Sequence, residues 1–284
     1  MRARGSGDQA GLETTGRLTG ARAGAVTKTF KLTIAYDGSG FVGWQRQASG
    51  TSIQGLLEDA CRELDNRDVA VAGASRTDAG VHALRQVASM TLERDVDAER
   101  VVRAINARLP EAVRVLDAVE VPAGFHARFH ARSKTYRYRI WNRDVMTPFE
   151  RSYAWHVPAP HLDIDAMAEA ARLLEGRHDF AAFQATGATT YTTERALLSS
   201  RVHRGSDGAP DALITYDVSA AGFLRHMVRT IVGTLVEVGR GRQPAVWVKD
   251  VMASRDRSRA GSTAPAQGLF LVDVEYEPQH LVIG

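Results

Sequence analysis

Between Phe30 and Tyr276 the chain switches repeatedly between two hydrophobic periods, one of two residues and one near 3.6, and this restricts it to a mixed α and β fold. In FKLTIAYDG, Phe30, Leu32, Ile34 and Tyr36 alternate with Lys31, Thr33, Ala35 and Asp37, the pattern of a half-buried strand. After a Gly-rich turn, Ile53, Leu56, Leu57, Ala60, Cys61 and Leu64 fall on one face of a helix, and Thr51 with Gln54 fits a capping box. Strands are expected at Val69 to Ala72 and Gln86 to Leu92, then a helix from Asp97 to Leu109 ended by Pro110, then strands at Val113 to Val121 and Thr135 to Trp141. From Arg151 a similar succession recurs. It has a helix near Asp163 to Glu175 stopped by Gly176, strands near Ala196 to His203 and Leu213 to Ser219, and a long helix over Gly222 to Val238. A strand from Leu269 to Tyr276 closes it, with Phe270, Val272, Val274 and Tyr276 inward. The repeat is architectural, since no identity between the halves is visible. The expected division is a flexible extension over 1–26, an N-terminal half over 27–150 and a C-terminal half over 151–284. The extension carries six glycines with only Leu12, Leu18 and Val26 as larger aliphatics, too few to offset ordering entropy.

At ~150 residues per domain, 284 residues allow two modest domains. Hydrophobic residues at 44% with 24% charged can bury a core without staples, which excludes a disordered chain and a disulfide-bonded miniature. The single cysteine, Cys61, forms no internal disulfide and anchors no zinc set; on its helix face it reads as a small buried residue of a protein from a reducing compartment. The most apolar stretch, Phe223 to Val238, is broken by Arg225, Arg229 and Glu237, so no membrane span is expected, and the N-terminus lacks the apolar core of a secretory signal. A cytoplasmic location is expected. Net charge is only +3, so the placement of the basic residues matters more than their number.

GSGFVG, Gly38 to Gly43, formally matches a dinucleotide fingerprint, but WQRQASG intervenes before the helix whose N-terminus would hold the pyrophosphate. The segment reads instead as a turn of close backbone approach, with Trp44, Gln45 and Arg46 as nucleic-acid contacts. His126 and His130 in FHARFHA have a metal-like spacing, yet Arg128 and Arg132 beside them oppose a cation, so no metal is expected. Phe125 to Arg151 holds seven basic residues against two acids, interleaved with aromatics that include Phe129, Tyr136 and Tyr138. That mixture suits nucleic acid: cations neutralise phosphates and rings stack on unpaired bases. Period two puts Tyr136, Tyr138 and Ile140 on one face and Arg137, Arg139 and Trp141 on the other. A bland alternative is a solvated edge strand with salt bridges. In GASRTDAGVHA, Gly73 to Ala83, Asp78 could serve only an Asx turn. Alternatively, Arg225 and Arg229, one turn apart on an otherwise apolar helix, need an anionic partner that a nearby loop carboxylate would supply.

Seven separated motifs carry a resemblance. They are YDGSGFVGWQRQ (Tyr36 to Gln47), SRTDAGVHA (Ser75 to Ala83), FHARF (Phe125 to Phe129), KTYRYRI (Lys134 to Ile140), HDF (His178 to Phe180), FLRHMVRTIVG (Phe223 to Gly233) and APAQGLFL (Ala264 to Leu271). Over Phe30 to Tyr276 the chain resembles the tRNA pseudouridine synthase A family. Departures are Ser75 where Gly is frequent, Arg225 where His is frequent, and the N-terminal extension. The resemblance implies two related ferredoxin-like α+β halves with antiparallel sheets, joined edge to edge around a basic cleft, in a homodimer. It implies isomerisation of uridine to pseudouridine at positions 38, 39 and 40 of the tRNA anticodon arm, without cofactor. It makes Asp78 the catalytic aspartate, Tyr136 the active-site tyrosine and Arg229 the counter-charge. Arg76 would hold or replace the displaced nucleotide, and Gln45, Arg46, Lys134, Arg137, Arg139 and Arg225 would contact substrate. The competing reading is a non-catalytic RNA-binding module or tRNA chaperone; a nucleotide-dependent enzyme built on GSGFVG is the remoter one.

Overall fold

The computed structural model describes residues 27–187, 190–205 and 211–282; the extension over 1–26 lies outside the described residues. The N-terminal strand β1 (Lys28–Tyr36) buries Phe30, Leu32 and Ile34 as its alternation requires. They share one core with Ile53, Leu57 and Cys61 of α1 (Ile53–Asp65) and with Val101 and Ile105 of α2 (Ala98–Asn106). The Cys61 thiol, pushed up to about 12 by burial, is inert packing, as expected.

The cap of α1 differs from the expected Thr51 and Gln54 box. Ser52 caps it, its Oγ accepting from the Gly55 amide at 3.2 Å, while the Gln54 side chain accepts from the Arg46 amide and donates to the Val71 carbonyl. Next to it, β2 is only Ala72–Gly73, because its pairing with β3 (His82–Leu92) is limited to those two residues. Helix α2 ends at Asn106, short of Pro110. The Asn106 side chain bonds both the amide and the carbonyl of Val115 on β4 (Val113–Val121), which peels off the last turn.

The remaining elements are β5 (Ala131–Trp141), β6 (Trp155–His156), α3 (Ile164–Arg172), β7 (Gly176–Asp179), β8 (Glu194–Arg204), β9 (Leu213–Ala220), α4 (Met227–Gly239), α5 (Trp247–Ser254) and β10 (Leu269–Tyr276). The fold is α+β, with one large sheet ordered β4-β1-β3-β10-β5-β9-β8-β7, β2 adding to β3 and β6 to β5. Two strands take central places in this sheet. Strand β10, last in sequence as expected, lies at mid-sheet, antiparallel to β5 and parallel to β3 through Phe270 with His82 and Leu271 with Ala83. Strand β5 is hydrogen bonded between β10 and β9, which rules out the bland alternative of a solvated edge strand.

In α4 every residue but Arg229 and Glu237 is buried. The helix starts at Met227, not Gly222, because His226 adopts a left-handed backbone (φ +61°) that interrupts helical propagation. Arg225 therefore precedes the helix and does not share a helical face with Arg229. Gly233 lets the chain after α5 cross α4 closely, since a Cβ there would run into the Ser262 carbonyl. That crossing delivers Ala264 to Arg229. Among the described residues no helix is long and apolar enough to cross a membrane.

Candidate active site

The loop between β2 and β3 carries Asp78, and several separate elements clamp it. Gln86, fully buried on β3, donates to the Ser75 carbonyl at 2.8 Å and accepts from the Ser75 amide at 3.2 Å. Tyr36 at the end of β1 shares a 2.8 Å hydrogen bond with the Thr77 hydroxyl, and the Trp44 amide donates to the Thr77 carbonyl at 3.0 Å. Gly43 makes that approach possible: its φ is +103°, and a Cβ would sit 2.6 Å from the Thr77 carbonyl oxygen. GSGFVG is thus the close-approach turn expected of it. His82 closes the far end, accepting from the Gly38 amide at Nδ1 (3.1 Å) with Nε2 facing the Gln267 carbonyl at 3.2 Å. Burial pushes its pKa down, which favours the neutral ring that donates from Nε2.

So held, Asp78 makes no Asx hydrogen bond within its loop among the described residues. Its Oδ2 instead accepts from Nη1 of Arg229 at 3.2 Å, while Nε of the same guanidinium donates to the Ala264 carbonyl at 2.7 Å. The loop carboxylate and the helix guanidinium thus meet across 151 residues of sequence. A group missed in the sequence reading, His226, brings Nε2 to 3.5 Å from the same Oδ2. Tyr136 projects from β5 with its hydroxyl 2.8 Å from Ser75 Oγ. Its ring meets Phe223 edge-on at 5.2 Å, and burial pushes the phenol up to about 12. Tyr136 is therefore a neutral hydroxyl at pH 7, able to donate a hydrogen bond but not a standing phenolate.

These groups open onto a cleft of about 1360 Å³, lined by Gln45, Arg46, Arg76, Arg128, Lys134, Arg195, Arg225 and Arg229 with Asp78 as the only acid among the described lining residues. Arg76 is exposed and makes no ion pair among the described residues, so its charge faces the cleft unspent. Lys134 lies on the Tyr136 face of β5, and burial with the nearby Arg128 charge brings its pKa down to about 8. Three expected contacts are placed otherwise. Arg137 and Arg139 are outside the cleft lining, where period two puts them on the opposite face of β5. Arg137 pairs with Asp217 through two hydrogen bonds of 2.8 and 2.9 Å, and Arg139 pairs with Glu150 at 2.8 Å. Trp44 is buried against Gly73 and Tyr36 and does not line the cleft. Arg46 does line the cleft, although its guanidinium is engaged with Glu58, Asp59 and the Gly55 carbonyl.

The sequence model of the family described as tRNA pseudouridine synthase matches residues 32–130 and 170–277. The chain belongs to the tRNA pseudouridine synthase family. Relatives within this family named tRNA pseudouridine synthase A include the Myxococcus xanthus protein, 47% identical over 246 residues that make up 87% of this chain and 91% of that one. The Solibacter usitatus protein is 46% identical over 252 residues, 88% of this chain and all of the relative, and that of Moorella thermoacetica 46% over 248 residues, 87% and 98%. The segments matched to the synthase family contain Asp78, His226 and Arg229, whereas Lys134 and Tyr136 fall between them.

Proposed function

We propose that this protein converts uridine to pseudouridine in tRNA, at positions 38, 39 and 40 of the anticodon arm, with Asp78 as a covalent catalyst and no cofactor. The observation that carries the reading is the Asp78 carboxylate, gripped by Arg229 at the bottom of an otherwise cationic cleft. The reaction is balanced within the substrate: the N1 to C1′ bond breaks, C5 bonds to C1′, the C5 proton leaves and N1 gains one. An Asp78 oxygen adds to C1′ of the ribose or to C6 of the ring and later departs. The nucleophile is a carboxylate oxygen already paired with a guanidinium, so no separate base has to generate it. Tyr136, neutral and hydrogen bonded to Ser75, orients the uracil and passes protons, and Arg76 takes the place of the extruded base. Extrusion costs a few kcal/mol, offset by phosphate contacts along the cleft. The two-halves architecture and the homodimer belong to the same proposal. The narrow parallel junction of β10 with β3, confined to two residue pairs, supports a seam between halves. Release of tritium from tRNA labelled at uridine C5 tests the activity. Binding without release, even at excess protein, would favour the chaperone reading.

Two further residues shape binding. Phe129 lines the cleft with 74% of its surface exposed, its ring 4.2 Å from that of His126 and 5.9 Å from the Arg128 guanidinium. His126 Nδ1 accepts from the Arg128 and Phe129 amides, which fixes this display. Base stacking is worth ~1–3 kcal/mol, so Phe129→Ala should weaken tRNA binding about 5- to 150-fold and Phe129→Tyr should restore it. Equal affinities in a filter-binding titration would remove Phe129 from the interface.

Lys134 gives a pH signature. Its folded pKa of about 8 lies below the ordinary ~10.4. Its contribution to stability is therefore full above ~10.4 and lost as pH falls through about 8. RNA phosphates reverse the preference, since they favour the ammonium. Binding should thus take up a proton near pH 8 to 9, and the slope of log affinity against log salt should shrink by up to ~0.7 between pH 7 and 9. The slope of Lys134→Gln should not change with pH. A parent slope equally insensitive to pH would place Lys134 away from the phosphates.

A further inference from the structure

His226 combines three features that packing alone does not account for. Its backbone is left-handed, at φ +61°, a conformation that is sterically unfavourable for a non-glycine residue. The next residue opens α4, so the strained residue sits one position from the helix that carries Arg229. Its Nε2 lies 3.5 Å from Asp78 Oδ2, the oxygen that Arg229 already holds at 3.2 Å. Both neighbours thus converge on one carboxylate oxygen, and among the described residues nothing donates to Oδ1.

We propose that His226 is a positioning residue which, with Arg229, pins Oδ2 of Asp78 and leaves Oδ1 as the oxygen that attacks the substrate. The inference rests on Asp78 being the nucleophile. The charged and titratable groups around the imidazole are the Asp78 carboxylate on the loop, Arg229 on α4, Arg225 beside it and Arg257 from the segment after α5. Burial is the largest influence and lowers the pKa; the three guanidiniums lower it further, and Asp78 alone opposes them. The ring is therefore neutral at pH 7, and facing a carboxylate it carries its proton on Nε2. At 3.5 Å the neutral N–H makes a long polar contact rather than a formed hydrogen bond, and it orients the carboxylate without adding a second full positive charge to its oxygen, which would draw electron density from the nucleophile. Acid protonates the ring and adds that charge, so the rate should fall as pH drops through a midpoint below the ordinary ~6.5 of histidine.

Two variants separate positioning from scaffolding. In His226→Gly the left-handed backbone is relaxed, so the melting temperature should hold or rise while the contact to Oδ2 is lost. In His226→Gln an N–H of similar reach remains and the titration is removed. Single-turnover pseudouridine formation on a tRNA transcript should slow about 10- to 100-fold in His226→Gly at unchanged KM, as expected for a misaligned reacting group. His226→Gln should recover most of the rate and lack the acid limb of the parent. The proposal is overturned if His226→Gly keeps kcat within two-fold, if His226→Gln is equally slow, or if its pH profile superimposes on that of the parent. A parent protein that forms no pseudouridine would instead sink the proposed function, which keeps the two failures distinct.

Discussion

Replacing Asp78 by Asn is expected to lower pseudouridine formation by on the order of 10⁴ or more while leaving tRNA binding intact. The amide has nearly the shape of the carboxylate, and its oxygen still accepts from Arg229, so the clamp of Gln86, Tyr36 and Trp44 around the loop is undisturbed. What is lost is the anionic oxygen that forms the adduct. Because Asp78 is the only acid among the described residues lining the cleft, its removal makes the cleft more positive, and affinity for tRNA should hold or tighten. The combination is diagnostic: a general folding defect would lower both quantities together. Retention of the parental rate within tenfold would show that another group supplies the nucleophile.

The second large effect is expected at Arg229. Its side chain is only 15% exposed and does two things at once, donating to Asp78 through Nη1 and to the Ala264 carbonyl through Nε. A planar fork can serve both, whereas the single ammonium of a lysine cannot hold the same pair of directions. Arg229→Lys should therefore cost about 10² to 10³ in single-turnover rate, the range seen when one donor is removed from a preorganised charge site. KM should change little, since the guanidinium is engaged with Asp78 and the Ala264 carbonyl. A lysine variant within threefold of the parent would mean that charge alone suffices and that the Ala264 contact is incidental.

The sequence carried the strands and helices well where hydrophobic period decides them. The bounds of β4 and β10 are those expected, and Tyr136 lies on the buried face that period two assigns it, but in β10 a register shift after Leu271 breaks the alternation, burying Leu269 and Leu271 and leaving Val272 and Tyr276 half-buried. Period names a face but not a neighbour. Arg137 and Arg139 read as free phosphate contacts because Asp217 and Glu150, their partners, come from β9 and from the segment after β5. Arg46 was legible as basic but not as the partner of Glu58 and Asp59, one helix turn beyond its own loop. Trp44 read as a nucleic-acid contact, but Gly73, which has no side chain, leaves the space that buries it. His226 was invisible for another reason: the apolar run made residues 222 to 226 look helical, and only the left-handed backbone turns the imidazole to Asp78. Asp78 itself was marked by its motif and by the need of a mostly buried arginine for an anion, and the structure places the two 3.2 Å apart.

The cleft also explains how a chain of net charge +3 can be specific for a polyanion. Many of its arginines are consumed by local ion pairs on α1, on the far face of β5 and at Glu237. Those left along the cleft surround one carboxylate, so the field draws phosphate in from all sides except at the reacting atom.

The most direct test of this account is nucleotide-resolution mapping of pseudouridine in a tRNA transcript incubated with the protein alone, in the presence of a chelator. Conversion should be confined to uridines 38, 39 and 40, complete in the parent and absent with Asp78→Asn. A transcript that is bound by the parent but keeps every uridine, or one converted equally by Asp78→Asn, would contradict it.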